Sequence, residues 1–453
     1  MNNSVNKGFG LLFEMGCGKT LTAIAIAGAG YQMGKVDRLL IVAPTSVVAV
    51  WPKELKEYAK FKYTCKTLLG EKQQRIKQID DLLKFPFKAL KIAVINYEST
   101  WRPEILEKLK EFDADMVIAD ESQRIKTYDA AQSKAMHELG DQARYKLILS
   151  GTPVQTAAID IWSQYRFLDK SVFGENFFKF RGRYAIMGGY GNKKIVGYRD
   201  LEGLIKKEHS IAFRVTKDEA LDLPEQTFET RRIQFSPKEK SLYERLKKDS
   251  YAELDNGGHI TATTVLTKLL RLQQLTGGFL VQDEAQKPQL VSRAKLDALT
   301  DIIVDYVIGS GKKLVVFARF IAEVKAIIDL AAKVLPKDLK QVAIYGDVKK
   351  EDRGDIVKQF QEDPSTVLFV GQIDTAGTGI TLTAADTCVY YSKNFNYATY
   401  SQSLSRIHRI GQRNCCTYID LEIEGTIDEL ISSALSRKED MAKTVVDNWR
   451  DFF

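Results

Sequence analysis

Two series of short apolar runs, each followed by a turn and a helical pattern, constrain this chain more than any other feature. The first series comprises Gly10-Leu11-Leu12-Phe13-Glu14 and residues 38–43, 92–95, 116–119 and 146–149. The second comprises residues 313–317, 341–345, 366–370 and 388–391. Runs this short and this uniformly apolar suit strands buried on both faces. Strands that alternate with helices build parallel, doubly wound sheets, which take ligands at the carboxyl ends of their strands. At 453 residues the chain exceeds one ordinary core, so two α/β domains are expected. Between the two series, residues 165–224 are aromatic and basic, and residues 237–280 read as helices rich in Lys, Leu and Gln.

Composition narrows the function classes. A hydrophobic content of 44% with 28% charged residues describes a globular protein rather than a disordered one. The 66 basic and 59 acidic residues leave a formal charge of +7, a mild bias compatible with a polyanionic partner. Five cysteines (Cys17, Cys65, Cys388, Cys415, Cys416) form no C-x-x-C pair and the four histidines are scattered. A zinc site or disulfide framework is therefore not expected, and a reducing cytoplasm is. No apolar run approaches the roughly 18 residues of a membrane span, so no membrane association is expected.

Three stretches carry chemistry. Phe13-Glu14-Met15-Gly16-Cys17-Gly18-Lys19-Thr20 lies between a predicted strand and a helix. There, glycines let backbone N–H groups wrap phosphates, Lys19 reaches the outer phosphates and the Thr20 hydroxyl ligates Mg²⁺. Phe13 occupies the first glycine position of the usual phosphate-loop pattern, and an ordinary strand–helix turn is the alternative for this stretch taken alone. Asp120-Glu121 ends the 116–119 run. Asp120 would hold Mg²⁺ and Glu121 would orient and deprotonate a water, against the alternative of a solvated strand end. In the segment from Gln402 to Gln412, Arg406 and Arg409 are three apart and would share a helix face. Offered from a second domain, they could stabilise charge on a transferred phosphate; a basic surface helix is the alternative.

In order along the chain, these stretches resemble the Swi/Snf branch of helicase-like superfamily 2. Glu14 to Thr20 resembles motif I, Ile41-Val42-Ala43-Pro44-Thr45 with Trp51 motif Ia, and Asp120 to Lys126 motif II. Ser150-Gly151-Thr152-Pro153-Val154-Gln155 resembles motif III, Asp374 to Ile380 with residues 382–386 motif V, and the arginine segment motif VI. The resemblance implies two RecA-like doubly wound parallel-sheet lobes with helical protrusions between them. Lobe 1 is expected at 1–165, an aromatic and helical protrusion at 166–222, and lobe 2 at 223–453 with a helical insertion near 237–290. It also implies ATP and Mg²⁺ as ligands. Glu121, Arg406, Arg409 and Gln402 then act in catalysis, and Gly16, Gly18, Lys19, Thr20, Asp120 and Gly379 hold the nucleotide. Thr45, Ser46, Gly377 and Thr378 are the expected DNA contacts, with Lys179, Arg181 and Arg183 as further candidates.

The function implied is an ATP-dependent motor that translocates on double-stranded DNA, with single-stranded or forked DNA as other tracks. A strand-separating helicase, or a clamp that binds ATP with little hydrolysis, remains open at this stage. So compact a motor resembles a bacterial or phage member of the branch, cytoplasmic, monomeric or weakly oligomeric, and recruited by an unidentified protein. Two departures stand out. Gln123 occupies a position where the branch usually has histidine, and no glutamine that could read adenine precedes Lys19.

Overall fold

The computed structural model describes residues 8–45, 47–155, 157–189, 191, 194–255, 262–280, 288–349, 351–376 and 380–442. The chain divides into two compact units, residues 1–221 with 438–453, and residues 222–437.

The first unit is built on strands β1 (Gly8–Phe13), β2 (Arg38–Ala43), β3 (Tyr63–Thr67), β4 (Leu90–Asn96), β5 (Met116–Asp120) and β6 (Tyr145–Leu149). A small hairpin of β7 (Ala185–Gly188) and β8 (Lys194–Tyr198) follows, then β9 (Ala212–Val215). Seven strands form one sheet in the order β3-β4-β2-β5-β6-β1-β9, and every neighbouring pair is parallel. Alternation along each strand supplies two cores. Leu40, Val42, Val117, Ala119 and Ile148 pack on one face. Leu39, Ile41, Met116, Ile118 and Leu147 pack on the other. Helices cover both faces, which is why these strands are apolar throughout rather than at every second residue.

Residues 166–222 depart from the expected helical protrusion. They do contain helices, among them Phe177–Tyr184 and Leu201–His209. They also contain the β7–β8 hairpin, and β9 joins the first sheet as its edge strand beside β1. The short run at 212–215 alternates buried and less buried residues, as an edge strand does, so it lacks the uniform apolarity of its neighbours.

The second unit carries β10 (Gln226–Ile233), a two-stranded ribbon of β11 (Phe279–Leu280) and β12 (Gln289–Leu290), and then β13 (Leu314–Ala318), β14 (Lys340–Ile344), β15 (Thr366–Gln372), β16 (Thr387–Tyr390) and β17 (Cys416–Ile423). Its main sheet runs β10-β17-β16-β13-β15-β14, again parallel at every pair. Within the expected insertion lie helices Pro237–Asp255 and Ala262–Thr276 and the β11–β12 ribbon. A buried ion pair fastens this unit: Lys295 Nζ stands 2.7 Å from Asp428 Oδ2 and donates to the Tyr391 carbonyl at 2.9 Å. Asp428 also accepts from Thr276 Oγ1 at 2.8 Å and from the Ile423 N–H at 3.1 Å. Removing one partner of such a pair strands the other charge at a cost of about 3–5 kcal/mol. Among the described residues no helix is long and apolar enough to cross a membrane. All five cysteines are free thiols.

Candidate active site

In the first sheet β5, β6 and β1 are consecutive neighbours, so the chain segments leaving their carboxyl ends lie side by side. Those segments are Asp120-Glu121, Ser150-Gly151 and the turn from Glu14 to Gly18. The turn depends on its glycines. Gly16 and Gly18 adopt φ of 89° and 83°, the left-handed region that glycine enters without a Cβ penalty. Helix α1 (Lys19–Gln32) then starts, with no side chain capping it at Gly18. An uncapped helix start presents N–H groups and the positive end of the helix dipole to an anion. Lys19 folds back over the turn, its Nζ donating to the carbonyls of Phe13 at 2.7 Å and Glu14 at 3.1 Å. Burial holds its ammonium below the usual lysine range, while Glu121 and then Asp120 pull it back up. The cation and both carboxylates therefore share one electrostatic neighbourhood.

Glu14 points toward the sheet edge. Arg214, buried on β9, donates to Glu14 Oε1 at 3.0 Å, to the Leu12 carbonyl at 2.8 Å and to the Gly151 carbonyl at 3.3 Å. The Lys217 N–H donates to Glu14 Oε2 at 2.9 Å. One guanidinium thus ties together β9, the end of β1 and the segment after β6.

Each carboxylate is oriented by specific donors. Trp51 Nε1, from helix α2 (Trp51–Tyr58), donates to Asp120 Oδ2 at 3.0 Å, and the Glu121 N–H donates to Oδ1 at 3.0 Å. The Tyr97 hydroxyl donates to the Asp120 carbonyl at 2.8 Å. Burial, with the neighbouring charge of Glu121 next, pushes the Asp120 carboxyl up to about 7. Glu121 sits at φ 50°, a conformation non-glycine residues rarely adopt, which turns its side chain away from the strand direction. Gln123 Nε2 donates to Glu121 Oε2 at 2.6 Å, and Ser150 Oγ donates to Gln123 Oε1 at 2.7 Å. Ser150 Oγ in turn accepts from the Thr152 N–H at 3.1 Å. A carboxylate only accepts, so Gln123 must offer its amide nitrogen to Glu121 and its oxygen to Ser150. Glutamine here makes the direct link between the carboxylate and the segment after β6.

The donor set suits Mg²⁺. It is an all-oxygen site in which a buried, cation-seeking carboxylate stands by a turn that can hold phosphates, and Mg²⁺ is typically held by one or two carboxylates plus substrate phosphate oxygens. Asp120 would be the carboxylate and Thr20, in the first turn of α1, the hydroxyl. Among the described residues no cluster of three or more His, Cys, Asp or Glu offers an all-protein cage.

The arginine segment belongs to the second unit, and its local structure corrects the sequence reading. The helix Tyr397–Leu404 ends before Arg406, so Arg406 and Arg409 stand on turns rather than on a helix face. The Arg406 carbonyl accepts the Leu382 N–H at 2.9 Å and the Arg406 N–H reaches only to Ser403 O, so tertiary contacts have taken over from the helix ladder. The two guanidinium groups still meet. Arg406 NH1 and Arg409 NH1 both donate to the Ile380 carbonyl, at 3.1 and 3.3 Å, and Arg406 Nε donates to the Gln402 carbonyl at 2.9 Å. Arg406 is buried and Arg409 less so. Of the other candidates, Gly377, Thr378, Gly379 and Ser46 lie outside the described residues. Thr45 is exposed; its hydroxyl donates to Glu98 Oε2 at 3.0 Å and accepts from Asn96 Nδ2 at 3.3 Å. On the helix Phe177–Tyr184, Arg183 is held by Asp200 at 3.0 Å, and Phe177 stacks on Tyr128 with centroids 4.0 Å apart. Phe180 and Tyr184 are core.

Sequence reading missed three contributors: Trp51 as the donor to Asp120, Tyr97 beneath it, and Arg214 across the loop base. Trp51 was visible as part of a motif but carried no role. Arg214 lies 200 residues from Glu14, and nothing in the local pattern joins them.

Comparison with known proteins gives a consistent picture. A profile for the SNF2-related domain matches residues 2–277, and one for the helicase conserved C-terminal domain matches residues 294–411. Curated relatives include the TATA-binding protein-associated factor BTAF1 of Arabidopsis thaliana, 26% identical over 96% of this chain and 24% of its own length. An uncharacterized ATP-dependent helicase of Mycoplasma genitalium, MG018, is 24% identical over 97% of this chain and 40% of its own. The mouse DNA annealing helicase and endonuclease ZRANB3 is 26% identical over 97% of this chain and 39% of its own. The chain spans between about a quarter and a half of the length of the curated relatives it matches.

Proposed function

The chain belongs to the SNF2-related family, and from that premise we propose that it is an ATP-hydrolysing motor acting on duplex DNA. The observation that carries the proposal is the placement of the Lys19 ammonium within the field of Asp120 and Glu121, each carboxylate oriented by its own donors. The phosphates of ATP would bind at the turn from Glu14 to Gly18 and the start of α1, with Lys19 against the outer ones. Mg²⁺, when bound by Thr20, Asp120 and the nucleotide, neutralises phosphate charge. Glu121 takes the proton of the attacking water, and Gln123 and Ser150 hold that carboxylate in place. A buried, preorganised array of this kind stabilises developing charge without reorganising during the reaction.

Arg406, Arg409 and Gln402 are assigned to phosphate-charge stabilisation on the family resemblance. The two guanidinium groups both donate to the Ile380 carbonyl, which supports a shared role for the pair. DNA as the track is supported by family membership and by relatives such as ZRANB3, named for work on DNA. Thr45, Ser46, Gly377 and Thr378 are the proposed backbone contacts. A cytoplasmic setting fits the bacterial relative.

Phosphate release from ATP in Mg²⁺ tests the proposal. The rate should rise several-fold with duplex DNA and fall steeply with added salt, because phosphate contacts release counterions together. ATP binding without appreciable phosphate release, with or without DNA, would replace the motor by a nucleotide-gated clamp.

A further inference from the structure

Between Glu175 and Asp200 the chain has no acidic residue, yet it carries Lys179, Arg181, Arg183, Lys193, Lys194 and Arg199. With 59 acidic residues in 453, about three would be expected in a stretch of this length, so the bias is local. The segment folds as the helix Phe177–Tyr184 followed by the β7–β8 hairpin, an antiparallel pair that joins neither large sheet. Its root is rigid. Tyr184 and Phe180 pack with ring centroids 5.0 Å apart, Phe173 packs on Phe180 at 5.1 Å, and the Arg199 N–H donates to the Tyr184 carbonyl at 3.0 Å.

Beyond that root the hairpin shows apolar side chains to solvent. Ile186 is 39% exposed and Val196 60% exposed. Each lies over a glycine of the facing strand. A Cβ at Gly188 would stand 2.9 Å from the Val196 methyl groups, and one at Gly197 would stand 3.4 Å from Ile186 Cδ1. The pairing register of the ribbon shifts between Ile186 and Met187. Lys194 on β8, Arg199 just after it and Lys179 on the preceding helix are all exposed. Phe178 is 57% exposed, with the Arg181 guanidinium 5.1 Å from its ring centroid.

We infer that the β7–β8 hairpin is a DNA wedge: Ile186 and Val196 press on base faces, while Lys179, Lys194 and Arg199 hold the flanking phosphates. A ligand that offers negative charge outside and flat apolar faces inside is a nucleic acid. Aliphatic side chains inserted at a base step unstack it, and the cost of a few kcal/mol per step falls where the stack is already interrupted. The preferred occupant is therefore the last base pair of a duplex where it meets single strands. An acidic protein would satisfy the cations but would leave Ile186 and Val196 without a matching face.

The inference rests on DNA being the track, and the test separates the two. The full chain is mixed with a forked duplex carrying 2-aminopurine at the junction pair, and fluorescence is read beside DNA-stimulated phosphate release. The wild-type chain should raise the fluorescence several-fold. Ile186→Ser with Val196→Ser should abolish most of that rise while duplex-stimulated phosphate release stays unchanged. Lys194→Gln with Arg199→Gln, which leaves the apolar pair intact, should weaken fork binding and make it less steeply dependent on salt, because fewer phosphate contacts release counterions; this pair decides the matter if the serine variant does not fold. Two results would overturn the wedge with the DNA reading intact: no fluorescence rise from the wild type, or an equal rise from the serine variant, with duplex-stimulated release normal in both. Phosphate release indifferent to every DNA would instead remove the DNA reading itself.

Discussion

Lys19→Ala should abolish ATP turnover, by on the order of a thousandfold or more, and weaken nucleotide binding as well. In the folded chain this ammonium bridges two carbonyls at the turn and faces Asp120 and Glu121. Without it, two carboxylates meet a polyphosphate across a half-buried site with no fixed cation between them. Binding of a fluorescent ATP analogue and single-turnover hydrolysis would both report the loss. Turnover at the wild-type rate would take the 13–20 turn out of the reaction.

Glu121→Gln should separate binding from chemistry. The substitution leaves the Asp120 carboxylate and its Trp51 donor untouched, so ATP should remain bound with little change in affinity. The amide still has an oxygen to accept from Gln123, so the thermal midpoint should hold. It cannot take a proton from water at neutral pH, and hydrolysis should fall by about 10²–10⁴-fold. Normal hydrolysis in this variant would move the base elsewhere, with Asp120 the first candidate.

Much of the fold could be read from residue patterns because parallel strands buried on both faces are apolar throughout. Residues 38–43 and 116–120 are such strands, and the structure places both in the centre of the first sheet. Most edge and ribbon strands carry no such signal, although the edge strand Lys340–Ile344 does. Tyr63–Thr67 is only partly buried, and Gln226–Ile233 is mostly exposed, so both lay hidden among polar residues. The β7–β8 hairpin was obscured by the same half-exposed character within a stretch dominated by aromatics and cations. In the site, what is local was visible: the glycine turn, the acidic pair at the strand end and the spacing of two arginines. What depends on distant partners was not. The helical reading of Arg406 and Arg409 failed because the Arg406 carbonyl is committed to Leu382 N–H, a contact no local propensity encodes. Gln123, noted as a departure, turned out to have both of its amide atoms engaged, one by Glu121 and one by Ser150.

That pair of hydrogen bonds also gives Ser150 a physical task. It lies on the segment after β6, and its hydroxyl reaches Glu121 through Gln123 and the Thr152 N–H directly. A shift of that segment would be felt at Glu121, the carboxylate proposed to activate water.

The central claim is that hydrolysis drives movement along intact duplex, and displacement of a third strand wound on a duplex measures it most directly. With ATP and Mg²⁺ the wild-type chain should release the third strand in a time course, whereas Glu121→Gln with ATP, and the wild type with a non-hydrolysable analogue, should leave it in place. The release rate should fall with salt in step with DNA-stimulated phosphate release. Third-strand release that proceeds equally without hydrolysis, or none at all from a chain that hydrolyses ATP briskly on duplex DNA, would contradict the account.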